Sequence, residues 1–357
     1  MPINDPSLDI PPAGAIRFNT DSRKIEVYCG GPVGFGTTTT TGSWFQIDSF
    51  TPDIATGGAR GVYGGGQSGP VLTNYIEYIT ISTTGNALDF GDLSALCEGA
   101  NAVSDKTRLI FVGGDETPGP DTRLQYVTMS STGNTTTFSE TLPVRSLLSG
   151  STSNSTRGVI GGGSGGQNVI QYLTIQSDGK TNDFGDLIYK PSGLTAFSSS
   201  TRGVFAGGYD PSVSPAAPQN IINFIQISTT GNASDFGDLT TARFFVGGCS
   251  NSIRGIICAG STGGPAFTNT IDYVTIATTG NAIDFGDNTQ EKYGSCGLAS
   301  KTRAVFVGSS APTPVGINNT IDYIQIMSTG NAIDFGDMFQ GGGARYVGGN
   351  SNDHGGL

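Results

Sequence analysis

Two residue series recur along this 357-residue chain in a pattern that could do chemistry. One is a pair of carboxylates around a phenylalanine, the "DFGD" of "ISTTGNALDFGDL" at 81–93. It returns at 227–239, 276–288 and 326–338, with looser copies at 129–141 and 175–187. The other is an arginine opening an apolar run, as in "TRGVFAGG" at 201–208. Arg60, Arg108, Arg157, Arg202, Arg254 and Arg303 stand 48, 49, 45, 52 and 49 residues apart. DFGD spells the metal-binding motif of protein kinases, but it recurs once per repeat and the other kinase signatures are absent. Calcium needs many oxygen ligands, and a DxxD spacing lacks the dense alternating carboxylates of a calcium loop. A structural pairing fits better: Asp92, Asp186, Asp238, Asp287 and Asp337, with Glu140 in the second copy, are expected to meet the arginines where repeats touch. The planar guanidinium fork suits a partly buried carboxylate.

The remaining candidates for catalysis are few. The single histidine, His354, is the only base a Ser/His/Asp triad could use, and it reads as a solvated tail residue. No glycine-rich loop carries a P-loop lysine or opens a helix. The sequence therefore points away from an enzyme, and no cofactor or metal is expected. A net charge of −11 gives nucleic acid and anionic membranes no electrostatic attraction. No apolar run reaches 18 residues, and the first residues lack a basic segment followed by an apolar one, so neither a membrane span nor Sec export is expected. Cys29, Cys97, Cys249, Cys258 and Cys296 are odd in number and widely spaced, which suits reduced, packing cysteines.

What must position the repeated residues is an all-β scaffold. Apolar residues do not recur at helical spacing, and short β-rich runs alternate with Gly, Asn, Pro and Ser clusters. A period near fifty residues is that of propeller blades built from four strands. Within a repeat, "RGVFAGG" is a short strand, and "IEYITI" is apolar on both faces, as a blade covered on both sides requires. "TTGN" is a tight turn. "AxDFGDL" is the next strand, with Phe90, Phe138, Phe184, Phe236, Phe285 and Phe335 in register. A small-residue innermost strand such as "FFVGGCSNS" at 244–252 completes the set. The last such segment, "ARYVGGNSN" at 344–352, has no outer strands after it, while the first repeat lacks an inner one. The expected fold is a six-bladed propeller over 51–357, closed by pairing the chain ends so that no edge is left open.

Successive turns of a blade alternate between the two faces of the disc. "SNSTR" and "TTGN" fall on one face and barely vary. The loops after the glycine pair and the links after DFGDL fall on the other and differ in length, charge and proline content. Varied loops on a rigid scaffold are where binding is usual. Tyr209, Asp210, Asp115, Glu116, Arg123, Tyr189, Lys190, Lys292 and Tyr293 are the expected contacts there, as aromatic and charged groups that stack on or hydrogen-bond a sugar or a protein.

The glycine pair after the second strand, with DFGDL where a Trp is usual, resembles the kelch superfamily. More narrowly, tandem "TTGNAxDFGDL…TRGVFxGG" units over roughly 58–357 resemble kelch-like structural proteins of tailed bacteriophages, cyanophages and other marine phages among them. Copper oxidation also occurs on kelch-type propellers, but it takes two histidine ligands and this chain has one histidine. Sialidase "SxDxGxTW" boxes are absent. Residues 1–50 read as an extended arm, a hairpin of "AIRFN" and "KIEVY", and a third strand carrying Trp44. They are similar to short modules of phage tail-fibre proteins, of the form "GxIRYN…ExYxGxxW", and bury too little to be stable alone.

The resemblance implies a virion protein made in the host cytoplasm, anchored to other virion proteins through residues 1–50. The propeller would bind a host-surface glycan or protein, as in a tail-fibre-like adhesin. The competing expectation is a capsid or tail decoration or scaffolding protein that contacts only virion proteins; a propeller hydrolase is the distant third. A homo-oligomer is compatible with either leading form.

Overall fold

The structure is a computed structural model that describes residues 16–19, 24–32, 40–46, 59–116, 119–120, 123–139, 148–312, 316–339 and 342–357. The chain divides into two compact units, Met1–Ala55 and Thr56–Leu357. The first contains a three-stranded antiparallel meander, Ile16–Asn19, Lys24–Pro32 and Thr40–Gln46, in which Ile16 faces Val27 and Tyr28 faces Trp44. The arm expected before it lies outside the described residues.

The second unit is a six-bladed β-propeller, each blade a four-stranded antiparallel sheet. Its innermost strands, Asn101–Ser104, Gly150–Ser153, Thr195–Ser198, Gly247–Ser250, Cys296–Ala299 and Gly348–Ser351, pack side by side around the axis. The second strands begin at the repeated arginines, and the four residues after each arginine are buried on both faces. Apolar layers lie between blades: one joins Phe90 and Ile76 of the first blade to Leu109 and Phe111 of the second. Another joins Phe335 and Val305 of the sixth to Ile79 and Ile81 of the first.

The C-terminal strand Gly348–Ser351 pairs with Arg60–Gly64 and completes the first blade, as the chain ends implied. The junction copies a continuous hairpin. In other blades a Ser, Asn or Asp side chain between the inner strands caps the arginine amide; Asn154 Oδ1 accepts from Arg157 N at 2.8 Å. In the first blade Asn352 Oδ1 accepts from Arg60 N at the same 2.8 Å, across the break between the two ends of the chain.

The arginines have a different partner from the one expected. Each Nη1 donates to a backbone carbonyl of the next blade at 2.8–3.1 Å, those of Met129, Ile175, Ile227, Ile276, Ile326 and Ile81 in turn. Each guanidinium also lies 4.3–4.9 Å over an aromatic ring of its own blade. That ring meets the DFGD phenylalanine edge-on, at 5.8–6.2 Å and 76–83°. Among the described residues the only ion pair in the series is Arg108 with Asp178, at 3.3 Å, so the expected pairing with the DFGD aspartates is corrected. An arginine held over an aromatic face keeps its charge stabilised by the ring while its N–H groups reach a carbonyl.

The aspartates instead contribute main chain. At five interfaces the TTGN turn of one blade clasps the DFGD strand of the preceding one. The turn glycine donates to the phenylalanine carbonyl at 2.7–2.9 Å, as from Gly280 to Phe236, and the residue after the asparagine donates to the aspartate carbonyl at 2.8–3.0 Å. The asparagine side chain accepts from the aspartate amide at 3.0–3.1 Å. The two backbones come so close that a Cβ at Gly237 would sit 2.5 Å from the carbonyl oxygen of Gly280. One clasp therefore draws on both halves of the motif, one half from each blade. The two loose copies meet at a single interface. Ser139 replaces the DFGD glycine of the second blade and Lys180 replaces the asparagine of the third. There the Arg108–Asp178 pair and a 2.5 Å hydrogen bond from Gln176 to Asp105 join the blades.

On the axis, serine hydroxyls pass one hydrogen bond to each preceding blade. Ser104 donates to Ser351 O, Ser153 to Ser104 O, Ser198 to Ser153 O, Ser250 to Ser198 O and Ser351 to Ala299 O, at 2.5–2.9 Å. Ala299 has no hydroxyl, and Ser250 O accepts instead from the amide of Gly355, at 2.8 Å. The C-terminal residues thus lie in the channel. His354, expected in solvent, is buried. Its Nδ1 accepts from Gly356 N at 3.1 Å, which leaves Nε2 protonated to donate to Ser104 O at 3.2 Å. Burial lowers its pKa to about 4, against the smaller opposing effects of the Ser104 carbonyl and Asp105.

Three outcomes follow. Gly237→Ala should cost about 3 kcal/mol or more in urea unfolding, because neither backbone can retreat and the residue's φ of 148° suits only glycine. Deleting residues 348–357 should expose the edge of Arg60–Gly64 and give aggregation or a large fall in Tm, read by light scattering and calorimetry. His354 is neutral when folded and takes up a proton on unfolding between its ordinary value of 6.5 and about 4. Stability should then be full above pH 6.5 and fall by up to about 3 kcal/mol as the pH drops to 4. His354→Asn should flatten that part of the stability–pH curve.

Candidate functional site

Antiparallel order places the loops between second and third strands, and the links into the innermost strands, on one face of the disc. At the channel mouth on that face, six residues adopt positive φ in succession: Gly99, Leu148, Gly193, Phe245, Gly294 and Tyr346, at 54–71°. Their main chains form a closed circle. Each amide donates to the carbonyl of the previous member, and Gly99 donates to Tyr346 O, at 2.6–3.2 Å. Glycine and bulky residues alternate for a steric reason. A Cβ on Gly193 would lie 2.8 Å from the Phe245 ring, and one on Gly294 2.8 Å from the Tyr346 ring. Three left-handed non-glycine residues cost of order 1–3 kcal/mol each, and strain of this kind collects at functional sites.

From Phe245 a chain of half-buried aromatic rings extends across the variable face. Phe245 lies 4.6 Å from Phe244 and 5.1 Å from Tyr346, and Phe244 lies 5.4 Å from Tyr209. Tyr293 is 6.0 Å from both Phe245 and Tyr346 and stacks on Phe267 at 4.4 Å and 20°. Arg345 holds this arc in place. Its Nη1 donates to the Tyr293 hydroxyl, its Nε and Nη2 donate to Gln67 Oε1 at 2.9 and 2.6 Å, and its charge lies 5.0 Å over Tyr346. Glu98, beside it, has its carboxyl pushed up by burial, against the pull of Arg345.

The nine residues expected at the site separate into groups. Tyr209 and Tyr293 lie on the arc. Lys190 is exposed, and Asp115 is half-buried in a short ladder with Pro120. Arg123 is half-buried, and Glu116 pairs with Gly119 with its side chain outside the described residues. The other three are buried and committed within the fold. The Tyr189 hydroxyl donates to Gly207 O, and burial raises its pKa. Asp210 caps a turn by accepting from Ser212 N and Oγ at 2.7 and 2.6 Å. Lys292 is wholly buried against Asp322 at 2.5 Å. For these three the expectation of a surface contact is corrected: a loop position near an exposed neighbour does not tell which way a side chain turns.

Sequence reasoning missed Phe244, Phe245, Phe267, Arg345 and Tyr346. A signal was present, since "ARFFVGG" and "ARYVGG" put aromatic residues where three other links carry glycine. It also missed a buried polar residue in each third strand: Glu77, Gln125, Gln171, Asn223, Asp272 and Asp322. Five of these hold the previous blade's outgoing link. Glu77 accepts from Phe339 N, Gln125 from Ser94 N, Asn223 from Ile188 N, Asp272 from Thr240 N and Asp322 from Thr289 Oγ1, at 2.7–3.3 Å. Asp272 and Asp322 are neutralised by the buried link residues Arg243 and Lys292. Five of the links that lead to the channel mouth are therefore fixed by buried polar contacts. Among the described residues no cluster of His, Cys, Asp and Glu is placed to hold a metal ion. No protein-family model matches the chain, and no curated protein matches it either.

Proposed function

We propose that this chain is a structural protein of a tailed-phage virion, anchored to other virion proteins by its N-terminal module, whose propeller displays a recognition surface for a host-surface glycan or protein. The reading makes it an adhesin of tail-fibre type, with no catalytic role and no cofactor. The observation that carries it is the arc of half-buried rings, from Tyr209 through Phe245 to Phe267, on the face where loops vary. Rigid, partly exposed aromatic groups supply large contact area at small entropic cost, and they dominate recognition surfaces. The opposite face, built from repeated turns spent on blade clasps, offers no comparable variety.

The test uses purified particles and the full chain. The protein should be found in particles, and the chain should bind host envelopes. Tyr209→Ala with Phe267→Ala should weaken that binding about tenfold or more while Tm stays within a few degrees, because both rings lie at the ends of the arc. Presence in particles with no envelope binding would favour a decoration protein that contacts only virion components. Absence from particles would defeat both forms of the reading.

A further inference from the structure

We infer that Lys292 and Asn288 join their side chains in an amide bond, with the carboxyl of Asp322 moving the proton. The inference does not rest on the host-binding reading. It rests on three buried side chains where the fifth and sixth blades meet. In four other blades the residue after DFGD is a buried apolar one, Leu93, Leu187, Leu239 or Met338. The fifth blade puts a carboxamide, Asn288, in that position and buries Lys292 just beyond it. The other lysines whose side chains are described are all exposed. Two polar departures in a place that other blades fill with hydrocarbon call for a chemical reason.

The local fold brings the three groups together. Along the strand Ile283–Lys292, Asp287 pairs with Thr270 and Lys292 with Thr268, so residues 288–291 form a bulge opposite Asn269. The bulge returns Lys292 to Asn288, and Asp322 reaches both from the third strand of the next blade, Thr320–Gln325. Lys292 and Asp322 are wholly buried, and Asn288 is 4 % exposed. Lys292 Nζ donates to Asp322 Oδ2 at 2.5 Å. The Asn288 amide matches its neighbours in one orientation. Its nitrogen then donates to Asp322 Oδ2 at 3.1 Å, and its oxygen accepts from Lys292 Nζ at 3.2 Å. One carboxyl oxygen therefore touches both the amine and the amide nitrogen.

That arrangement is what acyl transfer between these groups needs. With no water to hold two charges apart, a proton passes from Nζ to Oδ2 and leaves a neutral amine beside a neutral acid. The Nζ lone pair attacks Asn288 Cγ, forming the new N–C bond and moving the carbonyl π pair onto oxygen. Asp322 gives its proton to the amide nitrogen and takes one from the attacking nitrogen. The bond from Cγ to the amide nitrogen breaks as the carbonyl re-forms, and ammonia leaves. No oxidant or reductant is consumed, and Asp322 ends as the neutral acid. Cys258 Sγ lies 3.0 Å from the amide atom that faces Lys292. Burial pushes the Cys258 thiol up to about 12, so it keeps the proton it offers to the developing oxyanion. The neighbouring interface lacks the reaction's parts: Arg243 pairs with Asp272 at 2.9 Å, and a guanidinium stays charged and does not attack. The new bond closes the link just before Tyr293 and so holds that ring in the arc.

The test is the mass of the full wild-type chain, folded at neutral pH and then denatured for mass spectrometry. It should lie about 17 Da below the sequence value, the loss of one ammonia. Trypsin should not cut after Lys292, and fragment ions should place the link between Asn288 and Lys292. Lys292→Arg, which copies the Arg243–Asp272 pair, should fold with its full mass. Asn288→Leu, the residue that three other blades carry, should also keep its full mass. Asp322→Asn should slow the mass loss about a hundredfold, as removal of a general acid–base group does. A wild-type chain of full mass with a cleavable Lys292 would overturn the inference, as would a 17 Da loss kept in Lys292→Arg or Asn288→Leu. A loss of about 18 Da with the link at Asp322 would overturn it too, because water would then have left a carboxyl and not ammonia an amide. Should Asp322→Asn fail to fold, the wild-type mass and the Lys292→Arg control decide.

Discussion

Everything in the propeller depends on two backbones meeting without side chains between them. Where a TTGN turn lies against the DFGD strand of the preceding blade, the glycine on the strand permits main-chain contact that a Cβ would block, and the glycine in the turn supplies a φ of 153–154° that other residues rarely adopt. The contact spends amides and carbonyls that would otherwise be stranded on an outer strand, and an asparagine side chain takes the remaining amide. Blades are thus joined by main chain at the rim, by apolar layers in between and by serine hydroxyls at the axis. Each layer tolerates some sequence change, but the rim contact tolerates little at its glycines.

The exceptions support the same physics. Ser139 and Lys180 depart from the motif on opposite sides of one interface, where an ion pair and a glutamine–aspartate bond do the joining. Ala299 lacks the hydroxyl that its counterparts use, and the C-terminal residues supply Gly355 N in its place. The terminal strand and the axial plug are one continuous segment, so ring closure and filling of the channel are coupled. Protonation of His354 acts on both.

Rigidity at the rim and axis also explains how strain persists at the mouth. Leu148, Phe245 and Tyr346 hold positive φ because their amides and carbonyls are fixed in a closed circle, and the rings of Phe245 and Tyr346 fill space left by Gly193 and Gly294. The links that deliver Phe245 and Tyr346 are held from below by Asp272 and Glu77 of the next blade, and Asp272 is also ion-paired with Arg243. A surface fixed in this way loses little conformational entropy on binding, which is what a recognition face needs.

The sequence by itself determined the blade. Period, strand alternation, turn residues and the orphan strands at the two ends are local patterns, and local patterns with one solution survive folding. The repeat count and the pairing of Gly348–Ser351 with Arg60–Gly64 could be read without coordinates for that reason. Which side chains meet was decided by tertiary structure alone. The arginines looked like partners for the aspartates because opposite charges recur in step, yet a carbonyl and a ring of fixed position lie closer to each guanidinium. His354 looked like a tail residue because nothing local shows that the tail enters the channel. Lys292 and Tyr293 are adjacent in sequence, but strand alternation sends one into the core and the other onto the arc. The mouth circle joins six residues from six blades, spread from Gly99 to Tyr346, and only closure of the ring brings them within hydrogen-bonding distance.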